Sequence, residues 1–345
     1  MNFDLVRRGR GVFSATVLIG ALLSNQARAE DFYQGKTVTI VVGTDAGGGF
    51  DVYARVIARH MHKHLPGQPN VIVQNMPGAG SMKAAEYLYG IAPKDGTIIA
   101  TLFPGALVEP LTATPGKFRY DPTKYEYLGT ADSGTRLCIT SHKSKIKTFE
   151  DAQRIPSTLG GVAAGSSTTD YGNMFNALAG TQFKIVNGYK STVEIMLAIE
   201  RGEVDGVCGY DTNSFKAQKP EWYGTPLANM IVQAGLEPSE TMTKMDVPSI
   251  WKYVTGENRK VAELIVSQQV FGRPYAAPPG VPEPRLKLLR AAFMATMADP
   301  EFLAEAQRLK LDLNPKDGEE VSALIQKLYA SPKELIERMK KALRP

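Results

Sequence analysis

The chain has 345 residues, 43% hydrophobic and 22% charged, with a formal charge of +5 and two cysteines. That length exceeds one compact core and suits two lobes of roughly 100 to 200 residues each. No basic stripe with interleaved aromatics runs through it, which excludes a nucleic-acid surface, and two cysteines exclude a disulfide-dense scaffold.

The first residues read as an export signal. Arg7, Arg8 and Arg10 precede an apolar run over residues 12–23 that is too short to span a bilayer comfortably, and Ala27-Arg28-Ala29 offers a small-residue cleavage site. The mature chain is expected to begin at Glu30 and to reside in the periplasm, an uncleaved anchor being the alternative. Losing residues 1–29 removes four Arg and one Asp, leaving 36 basic and 34 acidic residues, so the mature protein is nearly neutral.

Residues 37–42 (TVTIVV) form a continuous apolar run of the kind a doubly covered strand shows. Gly47-Gly48-Gly49 then opens a helix with apolar positions Phe50, Ala54, Ile57, Met61 and Leu65, ended by Pro66-Gly67. The pattern repeats with a strand at 71–73, the loop Gly78-Ala79-Gly80-Ser81, and a helix through Ala84, Ala85 and Leu88. A third strand is expected at 97–103. Residues 104–127, rich in Pro, Gly, Thr and Tyr, read as a surface excursion. Alternation then resumes, with strands at 136–142, 159–164, 184–189 and 204–210. Between them Thr148 to Asp151 carries a capping signal, Gly165-Ser166-Ser167-Thr168 opens a helix, and residues 191–200 form another. Residues 227–233 are expected to carry the chain back. The last hundred residues read as helical, including a start at Ser331-Pro332-Lys333-Glu334, and are assigned as cover for the first lobe. The expected division is a signal at 1–29, a discontinuous first lobe at 30–130 and 234–345, and a second lobe at 131–233. Cys138 and Cys208 lie in apolar runs; buried free thiols are favoured, with a bridge left open because spacing cannot show whether the strands adjoin.

Three junctions share one design. A strand ends, glycines allow a tight turn, and a helix begins with unpaired N–H groups that attract a carboxylate or phosphate without a cationic side chain. Gly47-Gly48-Gly49 and Gly78-Ala79-Gly80-Ser81 lie side by side at the carboxyl ends of the first sheet, and Gly165-Ser166-Ser167-Thr168 faces them, where open α/β sheets bind ligands. A turn requirement accounts for any one of these loops; three in register point to a ligand. Pro104, Gly105, Tyr189, Lys190, Ser191 and Asp211 complete the candidate ligand-binding set. Asp51 joins it too, although a first-turn acid serving the helix dipole is the favoured reading. Lys190 either offers its ammonium to a carboxylate or merely opens a helix. His60, His62 and His64 read as a solvated face rather than a metal pair, because no acid cluster adjoins them in sequence. Trp222, Tyr223 and Trp251 either line an aromatic ligand or, the favoured reading, serve packing or a lobe rim.

The motifs Gly47-Gly48-Gly49-x-Asp51, Asn75-x-Pro77-Gly78-Ala79-Gly80, Pro93-x-Asp95-Gly96 and Tyr120-Asp121-Pro122 resemble, in order and spacing, the Bug (TctC-like) receptors of tripartite tricarboxylate transporters. Gly165-Ser166, Tyr189-Lys190-Ser191 and Gly202-Glu203-Val204-Asp205 are similar to the second-lobe features of that family. The resemblance implies a type II periplasmic binding protein fold, two α/β lobes joined by two hinge strands. It also implies a small organic acid held by backbone amides, hydroxyls and waters, and transporter membrane subunits as partners. No cofactor or metal is expected, nor an oligomer. Two departures stand out: Asp45-Ala46 replaces the Pro-Gly lead of the common glycine loop, and residues 215–269 differ. An acid beside an anion site disfavours a multiply charged ligand. A sensor with the same fold is one alternative. An exported enzyme is the other, and it lacks support: the glycine run misses the third glycine and the ribose-binding acid of the dinucleotide fingerprint, and no Gly-x-Ser-x-Gly elbow occurs.

Overall fold

A computed structural model describes residues 31–113, 116–163, 165–311 and 313–344; the expected signal and its cleavage site lie outside them. In chain order, β1 (Thr37–Val42) leads through the glycine loop to α1 (Gly49–Met61). Then follow β2 (Asn70–Asn75), α2 (Met82–Gly90), β3 (Ile98–Thr101), α3 (Pro104–Thr112) and β4 (Glu126–Thr130). The chain crosses to β5 (Arg136–Ser141), α4 (Phe149–Ala152), β6 (Ser157–Gly161), α5 (Ser167–Ala179) and β7 (Phe183–Asn187). It continues through α6 (Thr192–Arg201), β8 (Gly206–Asp211), α7 (Thr212–Gln218), β9 (Ala228–Ala234), α8 (Glu240–Lys244) and α9 (Gly256–Ser267). The remainder is β10 (Pro274–Ala277), α10 (Glu283–Ala298), α11 (Pro300–Arg308), β11 (Lys316–Asp317), α12 (Gly318–Tyr329) and α13 (Lys333–Leu343). No helix among the described residues is long and apolar enough to cross a membrane.

Two mixed sheets result. The first runs β11-β4-β10-β3-β1-β2 and the second β7-β6-β8-β5-β9. β1 pairs in parallel with both β2 and β3, and β6 with both β7 and β8; β10 and β5 are antiparallel to their neighbours. Burial explains the apolar reading of β1. Val38, Ile40 and Val42 pack with Ala54 and Ile57 of α1 on one face, while Val41 meets Ala84 and Leu88 of α2 on the other. With both faces covered, the two-residue alternation of a half-exposed strand disappears. The parallel strands of each sheet deliver their carboxyl ends, and so the glycine loops, to one edge.

Four expectations change. Residues 104–112 form α3 rather than an excursion: Pro104 occupies the first turn, where its missing N–H costs nothing, and Ala106, Leu107 and Val108 are buried. Pro110 inside that helix is what hides it from a periodicity reading. The late block is not purely helical, because the short β10 and β11 complete the first sheet. Nor does it cover the first sheet alone. The segment after β9 packs on the second sheet, where Ser249 bridges to Gln233 of β9 and Asn258 donates to Leu178 O of α5, and α13 reaches the same helix through Asn173, which donates to Leu343 O. After β9, the next strand of the first sheet is β10. Finally, Cys138 and Cys208 are bonded: a register break between Leu137 and Ile139 on β5 brings the two sulfurs together across the β5–β8 pair.

Candidate functional site

The first glycine loop is built to leave its amides free. Gly47 turns at φ +82 and donates its N–H to Asp51 Oδ2 at 2.8 Å, while Gly48, the helix cap, has no side chain to satisfy the amides that follow. Gly47, Gly48 and Gly49 are exposed. Asp51 is buried and engaged within the chain: it also accepts from Arg55 Nε at 2.9 Å and Asn75 Nδ2 at 2.9 Å. Burial alone would raise its pKa, but these three hydrogen bonds and the Arg55 charge hold it below the ordinary value, so it is an ionised brace for the loop.

The second loop is a left-handed turn. Gly78, Ala79, Gly80 and Ser81 all have positive φ, from +48 to +144, and the first three are exposed. Such a run strains Ala79 and Ser81, and Ser81 repays it inward. Fully buried, its Oγ donates to Gly43 O at 2.9 Å and accepts from Phe103 N at 3.1 Å, tying the ends of β1, β2 and β3 together. Ser81 is therefore a staple between the strand ends.

The third loop meets the first sheet directly. A Cβ placed on Gly105, at the start of α3, would lie 2.9 Å from the Gly165 carbonyl oxygen, so Pro104-Gly105 and Gly165 close on each other with room only for glycine. Gly165 has φ +87 and donates to Asp170 Oδ1 at 3.1 Å. The hydroxyls here are largely spent. Ser166 Oγ donates to Ala163 O at 2.6 Å, and Thr168 Oγ1 accepts from Val162 N at 3.1 Å, so of the three only Ser167 makes no side-chain hydrogen bond among the described residues. Ser191 caps α6 by accepting from Glu194 N, and Glu194 reaches back to Lys190 N at 2.6 Å, which makes this pair a helix start. Lys190 is exposed and Tyr189 half-buried. Asp211 caps α7 through Ser214 N at 2.9 Å and pairs with Arg136, so it too is occupied. Burial would raise its pKa, but Arg136 and Arg273 hold it below the ordinary carboxylate value.

Three arginines were not legible as site residues. Arg273, in the turn before β10, stacks 4.2 Å from the Tyr53 ring centroid and 5.3 Å from that of Phe50. A Cβ on Gly49 would lie 3.5 Å from its terminal nitrogen. A guanidinium is thus fixed beside the first loop after all. Arg136 sits at the crossing between sheets, and Arg344 bridges Asp170 on α5 (2.9 Å) and Glu109 on α3 (3.3 Å). Burial pushes Asp170 up to about 6 even against Arg344. His60 and His64 do not form a solvated face: His60 pairs with Glu305 at 2.7 Å and His64 with Asp299 at 3.0 Å, both acids belonging to α11 or its cap. No group of three or more metal-capable side chains occurs among the described residues. Trp222 is buried in the second core, as packing requires. A separate surface cleft of about 490 Å³ between α7 and α11, lined by Lys216, Pro220, Leu303 and Lys310, contains none of the glycine loops.

No protein-family model matches the chain. It is 27% identical over 348 residues to the UPF0065 protein in the gbd 5′ region of Cupriavidus necator, with 95% of each covered. It is 26% identical over 341 residues to a UPF0065 protein of Agrobacterium vitis, covering 96% of this chain and 90% of that one. Among solved structures, a TctC solute-binding protein from Polaromonas superposes with a TM-score of 0.66 at 18% identity, over 88% of this chain and 99% of that one. The periplasmic binding protein BugD gives 0.64 at 21% identity, over 90% and 98%. MatC from Rhodopseudomonas palustris, solved with malate, gives 0.62 at 20% identity, over 90% and 99%. The first two of these neighbours are described as binding proteins. The chain has the two-lobed α/β fold of the TctC- and Bug-type periplasmic solute-binding proteins.

Proposed function

We propose that this chain is an exported receptor that captures a small organic mono- or dicarboxylate between its lobes and delivers it to the membrane subunits of a tripartite tricarboxylate-type transporter. The observation that carries the reading is the convergence of exposed glycine-loop amides from β1 and β2 with the Gly165 loop, which touches Gly105 from the other sheet. Such amides recognise an anion without needing a dedicated cation, and they do so between elements that close on each other. The malate in MatC, a protein of the same fold, is in keeping with an organic acid here. Export follows from the residues before Glu30, and no second copy is needed to complete the site.

Two measurements test this. Titration calorimetry of residues 30–345 with acetate, malate, adipate and benzoate should give saturable one-to-one binding for at least one acid. No heat from any acid, with binding of a neutral sugar instead, would overturn the carboxylate reading. Intact mass of protein recovered from the periplasm should begin at Glu30; retention of residues 1–29 would overturn the cleavage.

A further inference from the structure

We infer that Arg273, acting with the amides of Gly48 and Gly49, grips the carboxylate of a ligand whose remainder is apolar or aromatic and rests on Phe50 and Phe103. This rests on the carboxylate-binding reading and narrows it to a class of ligand.

The guanidinium is held but underused. Its side chain is only 12% exposed and lies within cation–π distance of the Tyr53 and Phe50 rings of α1, so its position is set before any ligand arrives. Its Nε is buried without a hydrogen-bond partner among the described residues. Its ion pair with Asp132 is stretched to 4.0 Å, past hydrogen-bond range. A guanidinium has five donors in a planar fork, and its terminal nitrogens, one of them beside Gly49, can meet a carboxylate presented in that plane.

Location strengthens the case. The terminal nitrogen lies beside Gly49, at the amino end of the 13-residue α1, whose dipole and free amides are themselves positive. A cation against a positive helix end is unfavourable until an anion joins them. The surrounding charges also set how much anion is accepted. Arg273 and Arg136 are matched by Asp132 and Asp211, so one added carboxylate is met by the helix end. A second or third would lie near buried acids, with Asp45 exposed on the same loop.

Next to this charged corner the surface is aromatic. Phe50 and Phe103 meet edge to face with ring centroids 4.7 Å apart, and Phe103, the residue before α3, is 39% exposed. A large apolar side chain left open beside glycine-loop amides, at the point where the sheets close, is suited to the body of a ligand such as a benzoate or a cycloalkane carboxylate.

The test is calorimetry with benzoate, cyclohexanecarboxylate, malate and adipate on the wild type, Phe103→Ala, Arg273→Lys and Arg273→Met. Benzoate or cyclohexanecarboxylate should bind about tenfold or more tightly than malate. Phe103→Ala should weaken that binding by about fivefold to tenfold with little change in Tm, because the side chain is exposed. Arg273→Met should weaken it by about thirtyfold or more, and Arg273→Lys by an intermediate factor, since a lysine keeps the charge and loses the fork. If Arg273→Met does not fold, Phe103→Ala and Arg273→Lys decide. Malate or adipate binding as tightly as the apolar acids, or unchanged binding in Phe103→Ala, would overturn the inference and leave the broader reading standing. If none of the four acids binds, both fall together.

Discussion

Gly48→Val separates binding from folding more cleanly than any other change at the site. Gly48 has φ −76 and ψ 168, extended backbone that valine adopts readily, and a Cβ there would meet only Asp45 O at 3.6 Å. The unliganded protein should therefore keep its stability to within about 0.5 kcal/mol, as for an ordinary surface substitution. Binding should suffer, because the isopropyl group would stand over the amides that open α1. Losing one charge-assisted hydrogen bond costs about 1.5–3 kcal/mol, which is roughly a tenfold to hundredfold rise in Kd. Thermal melting without ligand, followed by calorimetry with the best-bound acid, reads both quantities. Gly80→Val offers the contrast: at φ +62 it should lower Tm before any ligand is added, although space around it is open. An unchanged Kd in Gly48→Val would refute the proposal that these amides hold the ligand.

Arg344→Met should steepen the pH dependence of stability. The carboxyl of Asp170 has a folded pKa of about 6 against an ordinary 3.8, so its contribution is fully present below about 4 and is lost as pH rises through 6. Without the guanidinium that loss should grow and extend to higher pH, and identical melting profiles from pH 4 to 8 would contradict the role of Arg344 as a tie between α3 and α5. Asp299 and Glu305 act in the opposite sense. Burial disfavours the charge on Asp299, but amide bonds and His64 prevail, and Arg59 and His60 lower Glu305, leaving both at about 2. Their joint stabilisation, about 2–4 kcal/mol after allowing for solvent, should be present above about pH 5 and vanish towards pH 2. Asp299→Asn with Glu305→Gln should flatten that acid limb in a melt series, and an unaltered limb would show that the α1–α11 pairs are idle. Replacing Cys138 and Cys208 together by alanine removes a link across 70 residues, worth up to about 4 kcal/mol in loop-closure entropy. Denaturant melts showing no loss would argue against the bridge.

The glycine loops were legible because each is a local event: a strand run, a turn residue and a helical period follow one another within one short stretch of chain. What each side chain does there was not. Ser81, Ser166, Thr168 and Ser191 read as hydroxyls for a ligand, yet each lies where backbone donors and acceptors of a turn or helix end also need partners, and the local demand wins. Asp51 kept the favoured first-turn role, because its spacing to Gly47 and Arg55 is itself local. Arg273 and Arg344 escaped notice for the reverse reason. They reach the site from more than 150 residues downstream of the first loop and carry no motif. The acids that meet His60 and His64 are likewise some 240 positions away, so a sequence window shows histidines without partners. The β5–β8 pairing that joins the cysteines is antiparallel, like β5–β9 and unlike the parallel pairs of β6 in the same sheet, a choice of topology that apolar runs do not encode.

The most direct test of the account is a paired titration of residues 30–345, with calorimetry and small-angle scattering recorded on the same samples as benzoate, malate and adipate are added. One acid should saturate at one equivalent with a more compact particle than in its absence, and Gly48→Val should shift both signals to about tenfold to hundredfold higher acid concentration. Saturable binding of a neutral sugar, no response to any carboxylate, and a Gly48→Val variant indistinguishable from the wild type would contradict it.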